Sequence, residues 1–162
     1  MLHEILSTHY SLKNPLQNFR KNKEGKPSIG KQNLHFNISH SNNLVCVAIC
    51  TEAPIGVDVQ HIRKFSEMLI PRVLTPEEKQ EYSKCSDKQQ FFFSTWSKKE
   101  ACVKATGIGI KIGLKNFSVT EKTALIQHST LYLMPLKLKE SYSAAVAVKC
   151  PISKITVIKQ HF

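Results

Sequence analysis

The sequence predicts an α+β domain on three observations: strand-like alternation in the first third, helical signals in the middle, and a return of short strand-like runs towards the end. Residues 14–32 are polar and basic and are punctuated by Pro15, Gly25, Pro27 and Gly30, which predicts a loop or irregular connection. Leu34, Phe36 and Ile38 then alternate with His35, Asn37 and Ser39, the period of a half-buried strand. His40-Ser41-Asn42-Asn43 supplies turn chemistry before the apolar run 44–50, so the two strands should form a hairpin. A third strand is expected over 55–60, with Ile55, Val57 and Val59 on one face and Gly56, Asp58 and Gln60 on the other.

Thr75-Pro76-Glu77-Glu78 has the form of a helix start, with Thr75 as N-cap, Pro76 at the first helical position and Glu78 completing a capping box. A longer helix should run over 86–105 and stop near Gly107. Beyond it, 117–119, 125–127, 131–138, Tyr142–Val148 and 155–158 are expected as short strands.

A chain of 162 residues is the size of one ordinary domain, large enough for a core without disulfide or metal staples. Its apolar fraction of 41% and charged fraction of 22% are those of globular proteins, and no run approaches the roughly 20 apolar residues of a membrane span. The start, Met1-Leu2-His3-Glu4-Ile5-Leu6-Ser7, lacks the basic and apolar regions of a secretory signal, so export is not expected. Five cysteines without a C-x-x-C pair do not resemble a disulfide framework, and a reducing cytoplasm is expected. Cys46 and Cys50 read as small apolar side chains on a strand rather than zinc ligands.

The formal charge of +11, from 23 Lys and Arg against 12 Asp and Glu, should attract polyanions without saying which. A nucleic-acid-binding module would account for the charge, with lysines on phosphates and Phe19, Tyr82 or Tyr142 stacking on bases. It would not account for an acid on the aromatic face of the long helix. There, Phe92, Phe93, Trp96 and Val103 form an apolar stripe and Glu100 lands inside it, where a carboxylate needs a partner, a proton or a metal. Lys104 lies one turn further on, and on spacing alone the two are equally an ordinary i,i+4 pair. Strand alternation points Asp58 and Gln60 to one side, where they could meet Glu100; two carboxylates with an amide or water oxygens suit magnesium. The seven histidines show no paired metal-ligand spacing, and the chain has no P-loop, dinucleotide fingerprint or nucleophile elbow.

Four segments, in order, resemble motifs of the 4′-phosphopantetheinyl transferases of the surfactin-synthetase (Sfp) type: Gly25-Lys26-Pro27; Phe36-Asn37-Ile38-Ser39-His40-Ser41; Pro54-Ile55-Gly56-Val57-Asp58-Val59; and Trp96-Ser97-Lys98-Lys99-Glu100-Ala101-Cys102-Val103-Lys104. Gly107-Ile108-Gly109 continues the last of them.

The resemblance implies a cytoplasmic, magnesium-dependent enzyme in which a serine of an apo carrier protein, whether acyl, polyketide or peptidyl, attacks the β-phosphate of coenzyme A and releases 3′,5′-ADP. By the same resemblance Asp58 and Glu100 would hold the metal with Gln60 beside them, and Glu100 would help deprotonate the serine. Lys104 would support the departing phosphate, while Lys26, Ser39 and His40 would meet the nucleotide phosphates. It also implies two similar α/β halves about a pseudo-twofold axis with the site between them. These would be a shortened first half over 1–61, with only 24 residues before Gly25, and a second half over 62–162. Gln60 stands where many relatives carry a second acid, so a catalytically weakened relative that binds coenzyme A or carrier protein is the alternative. A monomer is expected, with neither nucleic acid nor membrane as partner.

Overall fold

The computed structural model describes residues 2–10, 19–23, 25–29 and 34–159. Its elements run in the order α1 (Leu2–Tyr10), β1 (Phe19–Lys21), β2 (Pro27–Ile29), β3 (His35–Ser41), β4 (Leu44–Cys50), β5 (Ile55–His61), α2 (Ile70–Val73), α3 (Pro76–Lys84), α4 (Lys88–Thr106), β6 (Thr123–Ile126), β7 (Ser129–Leu136) and β8 (Tyr142–Val148). Strands, then helices, then strands make the α+β order expected.

The centre is an antiparallel four-stranded sheet in the order β5-β8-β7-β6. One face of it carries α4. The helix settles onto β5 because Gly56 has no side chain: a Cβ there would lie 2.1 Å from the Ala101 carbonyl oxygen and 2.4 Å from the Ala105 nitrogen. Backbone therefore meets backbone two residues before Asp58, and α4 is drawn close to that carboxylate. The core on this side is built from Phe92, Phe93, Ala101, Cys102, Val103 and Ala105 of α4 against Leu131, Leu133, Ala145 and Ala147 of the sheet. Phe65 stacks on Phe92 with ring centres 3.9 Å apart, closing the end of this core.

The β3–β4 hairpin turns at Asn42-Asn43, with Asn42 in the left-handed region (φ 51°) that asparagine tolerates. It meets the sheet in an unusual way. Asn37 Oδ1 accepts from the Val57 N–H at 2.9 Å, Ser39 Oγ from the Val59 N–H at 3.2 Å, and Ser41 Oγ from the His61 N–H at 2.8 Å. These three side chains satisfy an edge of β5 that would otherwise expose unpaired donors. Apolar contacts finish the joint, with Ala48 of β4 packing among Ile55, Val57, Val146 and Val148. Residues 55–61 thus pair with β8 by backbone and with β3 by side chains, so β5 is shared between the hairpin and the rest of the chain. The outer face of the hairpin is covered by Leu6 of α1 together with Ile29 and Leu34 around Phe36.

The hairpin, the third strand, the capping box and the long helix fall where expected. Thr75 Oγ1 accepts from the Glu78 N–H and Glu78 Oε2 from the Thr75 N–H. Asp87 caps α4 by accepting from the Gln90 N–H, and Gly107 ends it in the left-handed conformation (φ 70°). Four expectations change. Within 14–32, short strands β1 and β2 pair with each other, while 14–18, 24 and 30–32 lie outside the described residues. Residues 155–158 carry no strand. Helix α1 was not foreseen, although Leu2, Ile5, Leu6 and Tyr10 stand at i, i+3, i+4 and i+8, the spacing of an amphipathic helix.

Residues 117–119 also form no strand, for a reason visible in their partners. Lys99, wholly buried, donates to the carbonyls of Leu114 (2.8 Å) and Phe117 (2.5 Å) and pairs with Glu78 Oε2 at 2.8 Å. Glu78 Oε1 accepts the Val119 N–H at 2.9 Å. The backbone groups that a strand would need are thereby committed to an ion pair joining α3, α4 and the 114–119 segment.

Candidate active site

Four residues from three elements meet at the junction of β3, β5 and α4. Asp58, 2% exposed, is the centre. Its Oδ1 accepts from Lys104 Nζ at 2.6 Å and from Ser39 Oγ at 3.0 Å, and its Oδ2 from Gln60 Nε2 at 2.8 Å. Each donor is placed by ordinary geometry. Gln60 follows Asp58 on the same face of β5, Ser39 is the middle rung of the β3 ladder, and Lys104 lies within the α4 segment, 101–105, that rests on Gly56.

Lys104 therefore pairs with Asp58 rather than in the i,i+4 arrangement with Glu100. Its ammonium also donates to Ser39 Oγ at 2.9 Å and to the Val57 carbonyl at 3.2 Å, which occupies its three donors. The Ser39 hydroxyl is equally committed: it donates to Asp58 and accepts from Lys104 and the Val59 N–H. This is a charge-assisted network closed on itself.

Glu100 is half-buried and makes no hydrogen bond or ion pair among the described residues. Burial raises its carboxyl above the usual carboxylate range, the negative charge of Asp58 raises it further, and Lys104 opposes both. A buried carboxylate whose charge is disfavoured by a second one beside it makes with it a donor set suited to a divalent cation, so Glu100 and Asp58 fit magnesium. Gln60 spends its N–H on Asp58, leaving Oε1 as the atom of its amide that a metal could use. Among the described residues no three of His, Cys, Asp and Glu cluster as metal ligands, so the set is limited to two carboxylates and neutral oxygens.

The remaining expected residues stand further out. Lys26 reaches into the end of the α4–β5 junction and donates to the carbonyls of Ala105 (2.7 Å) and Ile55 (3.2 Å). Burial, with Lys149 nearby, pushes its ammonium down to about 8. His40 is exposed on β3, on the face opposite Ser39 by strand alternation. The structure thus joins Asp58, Gln60, Ser39 and Lys104, sets Glu100 beside them, and leaves Lys26 and His40 outside the network. Sequence reasoning gave no role to Gly56, Asn37, Ser41 or Lys99. The alternation of Asn37, Ser39 and Ser41 opposite Phe36 and Ile38 was the available signal for the first face.

The sequence model of the 4′-phosphopantetheinyl transferase superfamily matches residues 54–147, which run from the start of β5 into β8. The chain belongs to this superfamily. The transferase Sfp of Bacillus subtilis (strain 168) is 30% identical over 164 residues, covering 93% of this chain and 71% of Sfp. The transferase psf-1 of Bacillus pumilus is 33% identical over 121 residues, 73% of this chain and 52% of psf-1. HetI of Nostoc is 35% identical over 118 residues, 68% of this chain and 50% of HetI. The chain spans about half the length of several curated relatives it matches. In structure it is similar to the holo-[acyl-carrier-protein] synthase of Neisseria meningitidis, with a TM-score of 0.52 at 21% identity over 60% of this chain and 98% of that one. That likeness shows the α+β fold of the superfamily, and the superfamily match includes Asp58, Gln60, Glu100 and Lys104.

Proposed function

We propose that this phosphopantetheinyl transferase homologue is itself an enzyme that moves the 4′-phosphopantetheine arm of coenzyme A onto a serine of an apo carrier protein, releasing 3′,5′-ADP. The observation that carries the reading is the meeting of Asp58, Glu100 and Lys104 at one junction. Asp58 and Glu100 would hold magnesium, which when bound supplies positive charge where the pyrophosphate oxygens gather. Glu100 is the acceptor for the serine proton, directly or through a water, because among the described residues its oxygens are not committed to other donors. Lys104 answers the charge that builds on the departing phosphate. To do so it exchanges one of its present acceptors, Ser39, the Val57 carbonyl or Asp58, for a phosphate oxygen.

Ser39 and Lys26, with His40 at the rim, are the proposed contacts to the nucleotide, in a cleft between the 1–61 and 62–162 portions with β5 shared. The carrier is an acyl, polyketide or peptidyl carrier protein, and the net charge of +11 suits an acidic partner. Among the described residues no helix is long and apolar enough to cross a membrane. The proposal places the enzyme in the cytoplasm as a monomer, with neither lipid nor nucleic acid as partner.

The self-satisfied Asp58 favours one second reading, a protein that binds coenzyme A or a carrier without turnover. Apo carrier proteins incubated with the chain, coenzyme A and magnesium separate the two. The transferase adds one phosphopantetheine per carrier; the binder shows coenzyme heat in calorimetry and no change in carrier mass.

A further inference from the structure

Both carboxylate oxygens of Asp58 are engaged: Oδ1 accepts from Lys104 Nζ at 2.6 Å and Ser39 Oγ at 3.0 Å, and Oδ2 from Gln60 Nε2 at 2.8 Å. Of these donors only Lys104 carries charge, and a carboxylate 2% exposed needs that charge close by. The same ammonium also acts on Glu100, whose carboxyl is raised by burial and by Asp58 and lowered by Lys104. One cation on a flexible stem thus answers both acids of the junction.

Its seat does not rest on Asp58 alone. Ser39 Oγ and the Val57 carbonyl accept from Lys104 at 2.9 Å and 3.2 Å, so the ammonium can give up Asp58, free one N–H and keep two. The side chain is 28% exposed, which leaves it open to a phosphate arriving from solvent.

We propose that Lys104 is a latch on the acidic site: its ammonium competes with a divalent cation for Asp58, and the N–H released when Asp58 turns to that cation is the one offered to phosphate. The proposal rests on the transferase reading above, in which Asp58 and Glu100 hold the metal and Lys104 meets the departing phosphate. A dication repels the ammonium and a phosphate draws it, so both act on the single Lys104–Asp58 contact and each prepares the site for the other, reciprocally. No covalent bond changes. The latch also fixes a sign. Removing a residue that only braced the site would weaken metal binding, whereas removing a competing positive charge strengthens it.

The test is manganese binding to the intact chain without coenzyme A, followed by electron paramagnetic resonance, with melting temperature measured alongside; manganese shares magnesium's preference for oxygen ligands. Lys104→Gln and Lys104→Met should bind manganese about tenfold tighter than the parent or more, because each removes a unit charge from beside two carboxylates. Lys104→Arg keeps the charge and should stay within about twofold of the parent. Coenzyme A should then tighten manganese binding less in Lys104→Gln than in the parent. Either neutral variant, folded and binding manganese no tighter than the parent, would overturn the latch. Failure of the underlying reading has a different signature: Glu100→Gln would bind manganese as well as the parent does, placing the metal elsewhere and removing the basis of the latch with it.

Discussion

Lys104 Nζ lies 2.6 Å from Asp58 Oδ1, and the Ser39 hydroxyl bridges both. Asp58 is nearly inaccessible and the Lys104 side chain is 28% exposed. Removing the carboxylate strands a cation beside the Val57 carbonyl and an unmatched hydroxyl. Asp58→Ala should therefore destabilise the fold by roughly 2–4 kcal/mol in urea unfolding, since breaking a buried pair from one side is costly. Asp58→Asn keeps an acceptor for Ser39 and Lys104 and should lose less than half as much, while transfer is lost in both.

Gly56 is the second place where one atom decides the site. Gly56→Ala would set a Cβ 2.1 Å from the Ala101 carbonyl oxygen, and backbone on both sides cannot give way cheaply. The expected cost is roughly 3 kcal/mol or more. Any folded protein should have α4 displaced and Lys104 withdrawn from Asp58. Normal stability and normal transfer in this variant would show that the helix does not rest on β5 as described.

Gln60 donates to Asp58 Oδ2, so Gln60→Glu replaces a hydrogen bond with two like charges. The metal-free variant should melt below the parent, magnesium should restore the difference, and half-maximal rate should need less magnesium. Metal dependence equal to the parent's would place Gln60 away from the metal.

Lys26 makes a pH prediction whose sign follows from proton counting. Its ammonium falls from an ordinary 10.5 to about 8 in the folded protein. Between these values the unfolded chain holds a proton that the folded one has released, so this residue's contribution makes stability rise with pH across that window. Below about pH 8 the cost of burying the cation is present in full. A neutral amine still carries the two N–H groups that the Ala105 and Ile55 carbonyls accept. Lys26→Met should remove this rise, seen as a flatter plot of unfolding free energy against pH.

Local rules carried much of the fold. Thr75 and Glu78 spell a capping box within four residues, and Gly107 marks the end of α4, because both depend on neighbours in sequence. Asp58 and Gln60 could be placed on one face by alternation alone. What stayed hidden depended on distant partners. The apolar stripe singled out Glu100 as the buried charge of α4, yet the wholly buried one is Lys99, whose partner Glu78 belongs to another helix. The same pair removed the strand expected at 117–119. Spacing offered Lys104 only Glu100 as an ion-pair partner, whereas the close seat of α4 on Gly56 puts its ammonium on Asp58.

The central claim is that Asp58, Glu100 and Lys104 together transfer phosphopantetheine, and intact-protein mass of an apo carrier tests it most directly. With coenzyme A and magnesium the parent chain should add one phosphopantetheine. Glu100→Gln should slow the gain about a hundredfold or more while the metal-free protein melts no lower than the parent, since the amide removes a buried charge beside Asp58. A Glu100→Gln variant as fast as the parent, or no gain with acyl, polyketide and peptidyl carriers alike, would contradict it.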